Sequence, residues 1–391
     1  MEATGDPLAE APERQELRRT VRALVEEVSP PARVHELDEA ETFDEALYAR
    51  LAELGILGID APPELGGMGD VRDQLVVVEE LAAGPTSMAA FMIAQFAVVQ
   101  VLAGFGERAE HRAVLEALTR GETKVSFALS EPDGGTDVAR VMKTRARPDE
   151  QGGFVLKGQK TWTSGAASAE WIIVLARTAE IARSPIEGIT MFLVPARAPG
   201  IEIRELDTFG IHGLSTCEVF LEDVALPEEA ILGELHKGMR QVFATVNREG
   251  LNAAAATLGV GRGALDLAVS YSRDREVFGR PIGSFQVPQH WMADAAVKLE
   301  SARSLMLRAA EVEVAGGNAD MLASMAKLVA SEAAVEISLH GMQIQGGIGY
   351  TRESAMQRFF RDGRLWSFSP LNNEVVRSRI GEGLLGLPRA Y

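Results

Sequence analysis

The sequence predicts a mainly α protein with a central β domain: an N-terminal helical domain, a small antiparallel β domain and a C-terminal four-helix bundle. Three observations carry that reading. Apolar residues recur at helical spacing through the first third, short β-rich runs separated by turn residues begin near Lys124, and long alanine-rich apolar stripes return after Pro227. The chain has 391 residues, too many for one ordinary core. The changes of character place the domain limits at 1–122, 123–229 and 230–391.

In the first third, Leu17, Val21, Leu24 and Val25 share one helical face. Leu47, Leu51 and Leu54 do the same, and Gly55 suits a helix stop. APPELGGMGD is turn-rich, and helical patterns resume at Leu75–Leu81, Met88–Leu102 and Arg112–Leu118. No uninterrupted apolar run is expected to reach membrane-spanning length. VSFALS then reads as a short strand and EPDGGTD as a loop. GFVLKGQKTW, EWIIVLART, GITMFLVPA, GIEI and CEVFLEDVALP follow as strands, with a hairpin turn expected at Gln151–Gly153. Helices are expected over about 237–273, 287–314 and 320–342. GVGRGALD, at Gly259, superficially matches a dinucleotide loop. It lies inside a helical pattern with no strand before it, so close helix packing by small residues is the better reading.

Bulk properties exclude several classes. The composition, 46% apolar and 24% charged, is that of a soluble globular chain, and a formal charge of −17 argues against nucleic acid and against anionic lipid. Acids such as Glu2, Asp6, Glu10 and Glu13 read as solvated faces. Cys217 is alone, so no internal disulfide or thiolate metal site is expected, and a reducing, cytoplasmic setting fits. MEATGDPLAEAPERQ lacks the basic and apolar regions of a secretory signal. No His-Glu-x-x-His motif occurs and the 6 histidines do not cluster, so no metal site is expected. No Gly-x-Ser-x-Gly elbow is present.

Four segments stand out. FALSEPDGGTD joins a strand to a polar glycine loop whose N–H groups can hold a flavin edge or a phosphate, or form a plain turn. QKTWTSGA sets Trp162 among polar residues, where an aromatic covers a planar cofactor or simply packs. RDREVFGRPIGSFQ ends one long helix, and QIQGGIGYTRE breaks another with a double glycine that admits a ligand or merely turns the chain. Taken together, in order and with LAELGILGIDAPPELGGMG, these segments resemble the acyl-CoA dehydrogenase family of flavoproteins over nearly the whole chain.

The resemblance implies FAD, α,β-desaturation of an acyl thioester in fatty acid metabolism, electron transfer to an electron-transfer flavoprotein, and a homotetramer. Phe127, Leu129, Ser130, Gly135, Thr136, Trp162 and Ser164 match flavin-contacting positions. Arg275, Phe278, Gln286, Gln343, Gly346 and Gly347 match positions that complete the site, largely from a neighbouring subunit, and Glu374 matches another flavin contact. One departure stands in RDGRLWSFSPLNNEV. The usual base position falls on Pro370, which takes no proton and has no N–H to donate to the thioester oxygen. A shift of one residue leaves Ser369 or Leu371 to donate. A minority of members carry the base on a bundle helix, and that position falls on Glu249, the expected catalytic base. Gly250 stands where arginine is usual, and Asn247 where relatives have an acid. An ordinary helix-surface carboxylate is the other reading of Glu249. The alternatives for the whole chain are a flavin-dependent oxidase or monooxygenase, a dehydrogenase of acyl groups on a carrier protein, and a degenerate homologue that catalyses nothing.

Overall fold

The computed structural model describes residues 10–181, 183–243 and 246–389. It begins with six helices: α1 (Pro12–Val28), α2 (Pro31–Glu39), α3 (Glu45–Glu53), α4 (Val71–Ala82), α5 (Thr86–Phe105) and α6 (Ala109–Thr119). Local chemistry sets their ends. Asp70 accepts the Arg72 N–H at the start of α4, and the Asp73 carboxylate accepts the Asp70 N–H, a reciprocal cap. Helix α5 corrects one expectation. It is long and apolar enough to span a membrane, but most of it is buried in this fold. Its Gln95 side chain is buried and donates to the Leu118 carbonyl (3.3 Å), so α5 is the central core helix of the N-terminal domain.

The middle domain contains β1 (Val125–Ala128), a short helix α7 (Val138–Val141), β2 (Arg145–Pro148), β3 (Phe154–Ser164), β4 (Trp171–Arg177), β5 (Ile189–Pro195), β6 (Ile201–Glu205), β7 (Thr216–Leu226) and β8 (Ile231–Leu232). The sheet runs β6-β7-β3-β2-β4-β5-β8 with β1 beside β4. It is mixed, not purely antiparallel: β1 and β2 both pair with β4 in parallel. The hairpin expected at Gln151–Gly153 is present, because the Asp149 carboxylate accepts the N–H groups of Gln151 and Gly153, both at 2.8 Å. Strand β4 is buried on both faces. Ile173 and Leu175 pack with Val98, Leu102 and Leu118 of α5 and α6, and Ile172 and Val174 pack with Phe192 and Val219. The period of two along β4 thus joins the sheet to the N-terminal helices.

The C-terminal region holds α8 (Gly238–Phe243), α9 (Val246–Asp274), a small hairpin of β9 (Glu276–Val277) and β10 (Arg280–Pro281), then α10 (Gln286–Val314), α11 (Asp320–Gln345), α12 (Ala355–Leu365) and α13 (Asn373–Gly383). One core unites α9, α10, α11 and α12 with α1, α3, α4 and α5, from Leu47, Leu81 and Met92 to Leu251, Ala302 and Ala330. The glycines near Gly259 serve packing, as expected. A Cβ on Gly259 would lie 2.3 Å from the Glu79 carbonyl oxygen, and one on Gly263 would lie 2.6 Å from that of Ala83. Only hydrogen atoms allow α9 so close to α4.

Candidate active site

The loop after β1 is built around a buried ion pair that the sequence did not reveal. Glu131 accepts the N–H groups of Lys143 (2.6 Å) and Thr144 (3.0 Å), and Lys160 Nζ (2.9 Å). Lys160 Nζ also donates to the Leu129 carbonyl (3.0 Å), and the Thr161 N–H donates to that of Ser130 (3.0 Å). Lys160 is fully buried, and burial draws its amine down to about 8. Burial alone would raise the Glu131 carboxyl, but the Lys160 charge and the N–H donors hold it below the usual range. The only sequence signal was a lysine within a partly buried strand. The carbonyls of Leu129 and Ser130 are thereby held, while the N–H groups of Gly135, Thr136 and Asp137 donate to no backbone carbonyl. Free N–H groups in a polar loop suit an anionic or electron-rich ligand.

Trp162 lies beside this loop for a definable reason. Lys160 pairs with Val219 and Thr163 with Cys217, so β3 carries one extra residue there, a bulge that turns Trp162 outward. Its φ is +57°, a conformation that costs a non-glycine residue about 1–3 kcal/mol. Its ring is 62% exposed between the buried Thr161 and Thr163. A strained, exposed indole between two buried neighbours is a surface for a flat partner. Phe127, Leu129, Ser130 and Ser164 are half-buried nearby, and Gly135 and Thr136 are exposed. The Ser164 carbonyl accepts from Ser126 Oγ (2.9 Å). Across from the loop, Asn372 Nδ2 donates to Thr136 Oγ1 (3.2 Å), which brings the exposed Glu374, in the first turn of α13, to the same end.

A second group of expected residues lies elsewhere. Arg275, Gln286, Gln343, Gly346 and Gly347 are all exposed where α9 and α11 end and α10 begins, with the Tyr271 hydroxyl donating to the Gln345 carbonyl (3.4 Å). Phe278 and Gly279 form the turn between β9 and β10 with φ of +52° and +76°, and Phe278 is 95% exposed. Added Cβ atoms on Gly346 and Gly347 would meet nothing. Helix α9 separates this group from the first. At 1.5 Å per residue, Arg275 lies roughly 39 Å along the axis from Glu249.

Glu249 sits in the first turn of α9, half-buried, with no hydrogen bond or ion pair among the described residues. Burial pushes its carboxyl up to about 7. The adjoining Arg248 is held by Asp60 and Glu313, both at 3.2 Å, and the side chain of Asn247 lies outside the described residues. Gly250 lines one pocket with Lys327, Pro370 and Leu371, so the start of α9 faces the loop in which the usual base is missing. Of the two replacement donors considered for that loop, the Ser369 N–H is already taken by the Leu365 carbonyl (3.1 Å), whereas that of Leu371 donates to no backbone carbonyl.

Comparison with known proteins decides the family. The acyl-CoA dehydrogenase N-terminal, middle and C-terminal domain models match residues 11–122, 126–224 and 236–385. The chain belongs to the acyl-CoA dehydrogenase family. It is 36% identical over 375 residues to the human mitochondrial short-chain specific acyl-CoA dehydrogenase, covering 95% of this chain and 90% of that one. Its structure is similar to that of butyryl-CoA dehydrogenase from Megasphaera elsdenii, with a TM-score of 0.90 and 31% identity over 98% of this chain and 100% of the other. It also matches a glutaryl-CoA dehydrogenase from Mycobacterium smegmatis in complex with FADH2, with a TM-score of 0.90 and 26% identity over 99% and 98% of the two chains. The protein is thus a flavin oxidoreductase of the acyl-CoA dehydrogenase family, and the family is FAD-dependent. The outward Trp162 and the free N–H groups of 135–137 fit that cofactor.

Proposed function

We propose that this acyl-CoA dehydrogenase introduces an α,β double bond into an acyl-CoA thioester, with Glu249 as the base and an electron-transfer flavoprotein as the eventual electron acceptor. The observation that carries this reading is the desolvated Glu249 carboxyl, without a partner among the described residues and raised to about 7, on the helix turn that faces the Pro370 loop. A base for α-proton removal works best when its pKa lies near the operating pH. Glu249 takes the α-proton, and the β-hydrogen leaves with its electron pair. FAD, bound along Phe127, Leu129, Ser130, Gly135, Thr136, Trp162, Ser164 and Glu374, supplies the acceptor for that pair.

The cofactor site is completed by a second copy. Arg275, Phe278, Gln286, Gln343, Gly346 and Gly347 stand at the far end of α9, and the exposed Phe278 ring suits burial against a partner. A homotetramer supplies both ends to each flavin.

Anaerobic titration with a panel of acyl-CoA thioesters tests the reading. Bleaching of the flavin in wild type but not in Glu249→Gln is the expected result. Bleaching in both removes Glu249 as base. Bleaching in neither, with rapid oxygen consumption by the dithionite-reduced enzyme, replaces desaturation with oxygen chemistry.

A further inference from the structure

The conformation of the loop between α12 and α13 is imposed from the bundle. Lys327, on α11, is 2% exposed. Its Nζ donates to the Leu371 carbonyl (2.6 Å) and to Asn373 Oδ1 (2.8 Å). Asn373 is buried as well; its Nδ2 donates to Ser331 Oγ (3.1 Å) and its N–H to the Ser367 carbonyl (2.9 Å). Burial draws the Lys327 amine down to about 8, against the opposing charges of Glu374 and Glu332. Among the described residues no carboxylate hydrogen-bonds this amine. Desolvating an ammonium for two neutral acceptors is costly where a methionine would pack. What the amine adds is direction: it fixes one peptide plane.

That plane matters because of Pro370. Charge developing on a thioester oxygen calls for a preorganised N–H donor. Pro370 has no N–H, that of Ser369 is taken, and that of Leu371 belongs to a peptide whose Pro370 carbonyl accepts no hydrogen bond among the described residues, so nothing holds its direction. A trans peptide directs its N–H opposite its carbonyl. With the Leu371 carbonyl held by Lys327, the Asn372 N–H faces away from α11, and it donates to no backbone carbonyl. The Asn372 side chain holds the other side of the loop, against Thr136.

We propose that Lys327 is a positioning residue for the reaction: by holding the Leu371 carbonyl and Asn373, it sets the Leu371–Asn372 peptide so that its N–H replaces the oxyanion donor that Pro370 cannot provide. This rests on thioester desaturation as the chemistry.

The test uses the full-length FAD-loaded enzyme, wild type and Lys327→Met, with Lys327→Arg and Asn373→Ala beside them. Three quantities are read: the limiting rate of flavin reduction by acyl-CoA, the affinity for the matching enoyl-CoA from the flavin spectral shift, and the infrared carbonyl stretch of that bound enoyl-CoA, which does not depend on the base. Lys327→Met is expected to slow reduction by about 10²–10³-fold, the usual loss for one oxyanion donor. The carbonyl stretch should return toward its value in free solution while affinity changes far less, and Lys327→Arg should recover part of both. If Lys327→Met does not fold, Asn373→Ala, which leaves the Leu371 contact in place, should show a smaller loss with the same infrared direction. An unchanged stretch in the variants overturns the proposal, including where rate and FAD content fall together, because that pattern is merely structural. A wild type that binds no thioester removes the reaction and this assignment with it. Reduction of Glu249→Gln at the wild-type rate removes only the base.

Discussion

The two ends of α9 are built in opposite ways. At the end that begins near Glu249, polar groups are paired: Arg248 with Asp60 and Glu313, and Lys327 with Leu371 and Asn373, while Asn372 bridges to Thr136. Glu249 has no partner among the described residues, and burial raises its pKa to about 7. At the end that finishes near Arg275, Phe278 is 95% exposed in a strained turn, and glycines 346 and 347 face open space. One end is pre-organised by its own chain, and the other lies exposed. Under the proposed function, this helix of 29 residues carries both halves of the flavin site.

Breaking the finished end should have the largest consequences. Glu249→Gln is expected to slow flavin reduction by acyl-CoA by about 10²–10⁴-fold in stopped-flow measurements, the range for loss of a general base. The pH dependence sharpens this. A carboxyl with a raised pKa is protonated, and idle as a base, below about 7, so the wild-type reduction rate should rise as pH increases through that value and level off above it. A rate that is flat across this window would put the base elsewhere.

Lys160→Met tests the pairing behind the flavin loop. It leaves Glu131 buried without its cation, so denaturant unfolding should show a loss of about 3–5 kcal/mol. A loss near zero would mean that the two remaining donors, the N–H groups of Lys143 and Thr144, already hold Glu131.

At the unfinished end, Phe278→Asp should cost about 2 kcal/mol or more of assembly energy, the size expected for a buried aromatic anchor. Sedimentation should then show smaller species, and FAD should be lost on gel filtration. Unchanged assembly and FAD content would dissolve the contrast between the two ends. The smallest effect is expected at Gly250. A Cβ there meets nothing, so Gly250→Ala should raise stability by about 0.5–1 kcal/mol, seen as a modest increase in Tm.

Local patterns made much of the fold readable. The Gln151–Gly153 turn was visible because Asp149 and two glycines are a local device, and the small residues at 259–263 because helical spacing lines them up. The family was readable from its segments, and Trp162 and Phe278 turned out to hold positive φ angles that a motif match does not report. The parallel pairings of β1 and β2 with β4 were not readable, since strand patterns carry no partner or direction. Helix α5 was underestimated because two glutamines interrupt an otherwise apolar run, one of them, Gln95, satisfied within the core.

Periodicity, turn chemistry and motif order are local, and from them came the three-part architecture and the family. Which buried charges meet is a matter of long-range placement: Lys160 reaches a carboxylate 29 positions away and Lys327 a carbonyl 44 positions away. Burial, which has no sequence signature at a single position, is what raises Glu249 and lowers both lysines. Desolvation acts on a group only after distant elements have closed around it, so the chemistry of this site belongs to the packed chain.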